Sequence, residues 1–184
     1  MPRCKKHFFL RLGKLEIMED SFLVFLVLLG LLSCENTEDD NFASIRKDKE
    51  LIKELNKKTV DTLEIDNQAY VLGVYLWRDF MPGPSNENGS SLNAINRLIS
   101  IDSTSIPGSI DLIRQYVIHN DSIWAADYEE ETRSSSSTHI EKISRNGPKW
   151  GPQILVDVIS KIHDSDLKED YYLRLEDVYI ERTQ

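Results

Sequence analysis

An all-β fold is expected from this sequence: an antiparallel β-sandwich, immunoglobulin-like in the broad sense, preceded by a short helical stalk. Short stretches rich in β-branched and aromatic residues alternate with turn signals about every 8 to 12 residues, the spacing of sandwich strands. Ile154, Val156, Val158 and Ile162 interleave with Asp157, Lys161 and His163, the clearest period-two pattern in the chain. Apolar residues make up 40% of the sequence and include three tryptophans, enough for a core of moderate size.

The chain opens with five basic residues, Arg3, Lys5, Lys6, Arg11 and Lys14, and then an unbroken apolar stretch from Phe22 to Leu32. Eleven residues are too few for a permanent span, which needs about 20 to cross the hydrocarbon, so the segment reads as the core of an export signal. Glu16, Glu19 and Asp20 interrupt the usual layout, and Met18 is an alternative start; the apolar stretch and its end are the same from either methionine. The stretch ends in Leu31-Leu32-Ser33-Cys34.

That ending resembles the lipobox of bacterial lipoproteins. The resemblance covers about the first forty residues and implies cleavage before Cys34, with diacylglycerol on its sulfur and a further acyl chain such as palmitate on the new amine. Each buried CH₂ contributes about 0.8 kcal/mol, so two or three chains hold a protein on a membrane almost permanently. Residues 1–33 are then a signal peptide, 34–58 a lipidated tether with a short helix, and 59–184 the β-sandwich domain. The acidic run Glu35-Asn36-Thr37-Glu38-Asp39-Asp40-Asn41 cannot bury itself and reads as a flexible linker. It also resembles the surface-export signals of Bacteroidota lipoproteins, which implies anchorage at the outer membrane with the body facing outward.

Cys4 falls in the removed segment, so the mature chain keeps only the lipid-bearing Cys34 and has no internal disulfide. The net charge is −9 for the whole chain and becomes more negative without its first 33 residues. Nucleic acid and anionic lipid are poor partners for such a body.

From Arg46 to Lys58 good helix formers dominate, with Ile45, Ile52 and Leu55 near helical spacing, which predicts a short helix docking its stripe on the domain. Thr62 to Ile65 and Ala69 to Phe80 are strands about an Asp66-Asn67 turn. Met81-Pro82-Gly83-Pro84 and the polar residues to Ser91 form a loop. Leu92 to Ile101 is a strand whose inward face carries Ile95, Ile99 and Ile101. Ile113 to Ile118 and Ser122 to Ala126 form a hairpin about His119-Asn120-Asp121. Asp127 to Ser137 is a long loop. The strand at Ile154 to Ile162 leads through the polar Asp164–Asp170 stretch into Tyr171 to Leu175 and Val178 to Ile180, a final hairpin.

Familiar chemistries leave little trace. There is no Gly-x-Ser-x-Gly, no P-loop, no Gly-x-Gly-x-x-Gly and no paired Cys or His at zinc spacing. His119, His139 and His163 lie in separate segments. His163 with Asp164 and Asp166, and Asp127 with Glu129, Glu130 and Glu131, supply oxygen and nitrogen donors, yet read as solvated turns and loops. No cofactor is expected beyond the lipid on Cys34. Trp77 and Trp124 belong to strands. Trp150, in Gly147-Pro148-Lys149-Trp150-Gly151-Pro152, sits on a stiff loop and, with Lys149, is the candidate binding group for a glycan or an envelope protein; the bland reading is a plug at the end of the sandwich. The expectation is a non-enzymatic, membrane-anchored binding or envelope-assembly module. The alternative is a lipid-anchored hydrolase whose acids meet only in the fold.

Overall fold

The computed structural model describes residues 44–81, 88–128 and 136–184, a mostly β body with one short helix. Cys34 and Glu129 to Glu131 lie outside the described residues. The strands are β1 (Ser44–Lys47), β2 (Leu63–Ile65), β3 (Gln68–Asp79), β4 (Asn93–Ser100), β5 (Ile110–His119), β6 (Ser122–Asp127), β7 (His139–Ser144), β8 (Leu155–Asp164) and β9 (Glu169–Thr183), with α1 (Lys49–Lys58) after β1. No helix among these residues is long and apolar enough to cross a membrane.

Turn chemistry sets the local pairings. Asp66 and Asn67 both have positive φ, the two-residue turn that suits the twist of a hairpin, and Ile65 pairs with Gln68 across it. Asn120 takes positive φ in the next two-residue loop, where His119 meets Ser122. In the β8–β9 turn the buried Asp164 carboxylate accepts from the Asp166 and Leu167 amides at 2.9 and 3.3 Å, so its charge is spent on holding the turn.

The strands run β1-β6-β5-β8-β9-β3-β4-β7 in one curled mixed sheet, a half-barrel, with β2 on the side of β3. The expected antiparallel sandwich is therefore corrected in architecture. β9 first pairs antiparallel with β8 as far as Tyr179, then passes to β3, pairing in parallel from Leu76↔Ile180 to Asp79↔Thr183. A sandwich would need two separate sheets, and this 15-residue strand joins them. Its corner lies at an irregularity opposite Asp157, where Asp177 has positive φ and donates its amide to the Asp157 carboxylate at 3.3 Å; such bulges bend a strand and sharpen its twist.

The inner face of the curl holds the main core, including Tyr70, Leu72 and Leu76 of β3, Leu98 of β4, Trp124 of β6 and Ile162 of β8. A polar chain runs through it: Asn96 donates to Gln115 at 2.7 Å, and Tyr128 shares a hydrogen bond with Ser160 at 2.7 Å. Burial pushes the Tyr128 phenol well above its ordinary value. A second cluster lies behind the sheet, where Leu55 of α1 packs on Tyr116, Ile118, Ile123, Ala125 and Ile159. Asp48 caps the helix by accepting from the Leu51 amide at 2.9 Å. The helix docks by its apolar stripe as expected, but Ile45 belongs to β1 and stays exposed.

The face of β4 is inverted relative to expectation. Ala94, Asn96, Leu98 and Ser100 point into the core, and Ile95 and Ile99 lie on the outer side, with Ile101 exposed. Buried Asn96 and Ser100 made the true inner row look polar, because their hydrogen-bond partners come from Gln115 and Thr104.

Candidate binding face

The outer face of the β8-β9-β3-β4-β7 region carries an apolar row built by register. Leu155 of β8 pairs with Tyr179 of β9, the parallel register sets Tyr179 beside Tyr75 of β3, Tyr75 pairs with Ile95 of β4, and Ile95 pairs with Ile143 of β7. Ile95 and Ile143 are buried, whereas Tyr75, Tyr179 and Leu155 keep 41, 42 and 54% of their surface exposed. Two residues along β3, half-buried Trp77 points to the same side and stacks on Tyr75, with ring centroids 5.3 Å apart and planes inclined by 20°. Large aromatic rings held side by side on a rigid sheet present area at little entropic cost.

Polar groups flank this band. In the next row Arg97 of β4 pairs with the buried carboxylate of Glu141 of β7 at 2.5 Å. Gly73 of β3 sits opposite Arg97, and a side chain there would press on Ile99, whose Cδ1 lies 3.0 Å from where a Cβ would be. A groove of about 550 Å³ continues past this pair, lined by Arg97, Ile99, Ser100, Thr138, His139 and Glu141. At its end Ser136 Oγ lies 2.7 Å from His139 Nδ1, and no carboxylate hydrogen bond to the other ring nitrogen is formed among the described residues. The face thus offers stacking area beside a planar ion pair and several hydroxyls.

The sequence-predicted binding residues lie elsewhere. Trp150 is half-buried against the main core, its ring 5.6 Å from that of His119. Lys149 is exposed, and its backbone serves the buried Arg78, which donates to the carbonyls of Lys149, Trp150 and Gly151 at 3.2, 3.4 and 2.6 Å. Arg78 also donates to the carbonyls of Ser90, at 2.8 Å, and Asn88, so one guanidinium ties together the loop before β4 and the loop between β7 and β8. Phe80 covers it at 5.0 Å, and burial lowers its proton affinity. Gly147 is required where it is: a Cβ would come within 2.8 Å of the Trp124 ring. The loop is thus held by contacts with Arg78 and Trp124 in addition to its Gly-Pro pairs.

Of the weaker donor sets, the one around His163 is not assembled, and the one around Asp127 lies for the most part outside the described residues. His163 shares Asp170 with Lys161, both at 2.8 Å, while Asp164 is committed to its turn. Asp127 is bound by Arg114 at 2.6 Å, a partner that keeps the guanidinium firmly protonated. Among the described residues no group of three or more His, Cys, Asp or Glu is placed to hold a metal ion.

Tyr75, Tyr179, Arg97 and Glu141 were not singled out in sequence. The available signal was the alternation in β3, where Tyr70, Leu72 and Leu76 take one face and Val71, Gly73, Tyr75 and Trp77 the other. The chain matches no protein-family model, no curated protein and no solved structure.

Proposed function

We propose that this chain is a bacterial lipoprotein, held at the outer membrane by lipid on Cys34, whose β body binds glycan on the outer face of β3, β4 and β9. The observation that carries the glycan reading is the stacked Tyr75–Trp77 pair beside exposed Tyr179. Sugar rings offer apolar C–H faces that stack on such platforms, and their hydroxyls suit a fixed Arg97–Glu141 pair and neighbouring Ser and Thr groups. The anchor reading rests on the signal-like start and on Cys34 at its end.

The test is binding of the purified protein to an array of envelope oligosaccharides, repeated with Tyr75→Ala/Tyr179→Ala. Loss of a stacking anchor costs about 2 kcal/mol or more, so affinity should fall by roughly thirtyfold while the melting temperature barely moves. No binding by the unaltered protein, or equal binding by the double variant, refutes the glycan reading; binding of an envelope protein alone through the same tyrosines would make this a protein interface.

A further inference from the structure

The geometry points to a second membrane contact: the lysine face of α1 rests on the anionic phosphate headgroups of the bilayer that holds Cys34, an inference that rests on the lipid-anchor reading above. Lys49, Lys53 and Lys57 recur every fourth residue and so form one stripe, on the side of the helix opposite Leu51 and Leu55, which face the sheet. All three are exposed and form no ion pair among the described residues.

Most of the nearby carboxylates are committed elsewhere; the exception is the exposed Glu50 of the same helix, one acid beside three lysines. Asp48 serves Arg46 at 3.1 Å and the helix cap, Glu54 holds Lys58 at 2.6 Å, and Asp121 lies 3.7 Å from Lys47. From Arg46 to Lys58 there are six basic and three acidic residues, in a chain whose net charge is −9. The total charge that argues against anionic lipid hides this local reversal. Between α1 and the β5–β6 turn a groove of about 450 Å³ is lined by the three lysines with Ile52, Asn56, Asn120 and Asp121, the last within 3.7 Å of Lys47. Ammonium and amide donors over an aliphatic floor suit a phosphate headgroup at a bilayer surface.

Tether length permits this contact. Nine residues lie between Cys34 and Ser44, and the ten steps from one to the other span at most about 35 Å. Ser44 to Lys49 adds only about 17 Å. The helix therefore stays within reach of the headgroups, and since charges act over about 8 Å at physiological salt, the lysines favour lying down over standing off. Three lysines near an anionic surface shift that balance by roughly a hundredfold.

The experiment reconstitutes the full lipidated protein into vesicles of phosphatidylcholine, alone or with one third phosphatidylglycerol, and maps lysine acylation by mass spectrometry against exposed Lys168. Labelling of Lys49, Lys53 and Lys57 should drop tenfold or more on the anionic vesicles, stay high on the neutral ones and recover in high salt. Equal labelling on both vesicles overturns the lysine contact and leaves the anchor standing. Equal protection by inorganic phosphate in solution overturns it too, making the groove an ion site. If Cys34→Ala floats with vesicles as well as the unaltered protein, or if neither floats, the anchor reading fails and this contact with it.

Discussion

The two wings of the curled sheet spend their residues differently. In β5, β6 and the middle of β8 both faces are covered, the inner by the main core and the outer by α1, so Gln115 to Ile118, Ile123 to Ala126 and Val158 to Ser160 are buried without a break. In β3 and β4 the inner face is mostly apolar, interrupted by Asn96, Ser100 and Arg78, and the outer face carries Tyr75, Trp77 and Arg97. Strands buried on both sides read as continuous apolar runs and have no surface left to offer a ligand. The surface left for the proposed recognition is therefore on the wing that lacks a helix, while the helix-covered wing turns its charged back outward.

The largest expected effect removes the cover. Leu55 is the one fully buried residue of α1, and Leu55→Ala should cost about 2 to 5 kcal/mol by leaving a cavity over Tyr116 and Ile159. Chemical denaturation measures it, and a loss under 1 kcal/mol would mean that the two wings are not distinguished by the helix. Next in size is Trp150→Ala. Half-buried against the core and His119, Trp150 should contribute about 2 kcal/mol, less than a fully enclosed aromatic. A near-unchanged melting temperature together with lost glycan binding would move recognition from the β3 wing to this loop. Tyr75→Ala/Tyr179→Ala should sit below both in stability, since each ring already keeps about two fifths of its surface in water; a drop of several kcal/mol would show the aromatic row to be core rather than platform.

Legibility in the sequence tracks the range of the interactions involved. Hairpin turns at Asp66-Asn67, Asn120-Asp121 and Asp164–Asp170 are local chemistry, and the strands they join appear where expected. β7 escaped notice because Ile140 and Ile143 are three apart and point to opposite faces, one to the core and one to the outer row. β9 looked like two strands because Glu176-Asp177, at the bend, breaks its apolar pattern, and its parallel partner lies about a hundred residues earlier. The binding face needs four strands in register, so no window of sequence contains it. Trp150 stood out because its flanking Gly-Pro pairs are visible locally, whereas the Arg78 clamp that explains the loop is a contact across more than seventy residues.

The finest comparison is electrostatic and lies within the helix-covered wing, at Asp170. Its carboxyl is held below the ordinary aspartate value of 3.8 first by the hydrogen bond from Lys161 and then by that from His163. A carboxylate depressed in the folded state contributes stability that is present above its unfolded value and disappears as pH falls through its folded one. The affected window therefore lies at and below about pH 4, and neutral pH keeps the full contribution. With 40% of the Asp170 side chain exposed, solvent screens the pair and the gain is small. Asp170→Asn should lower the melting temperature at pH 7 by about two degrees, and its deficit should begin to shrink as pH falls below about 4. Added salt should shrink it as well. Scanning calorimetry across pH 3 to 7 reads both trends, and parallel curves for the two proteins throughout that range would show that Lys161 and His163 hold Asp170 no better than water does.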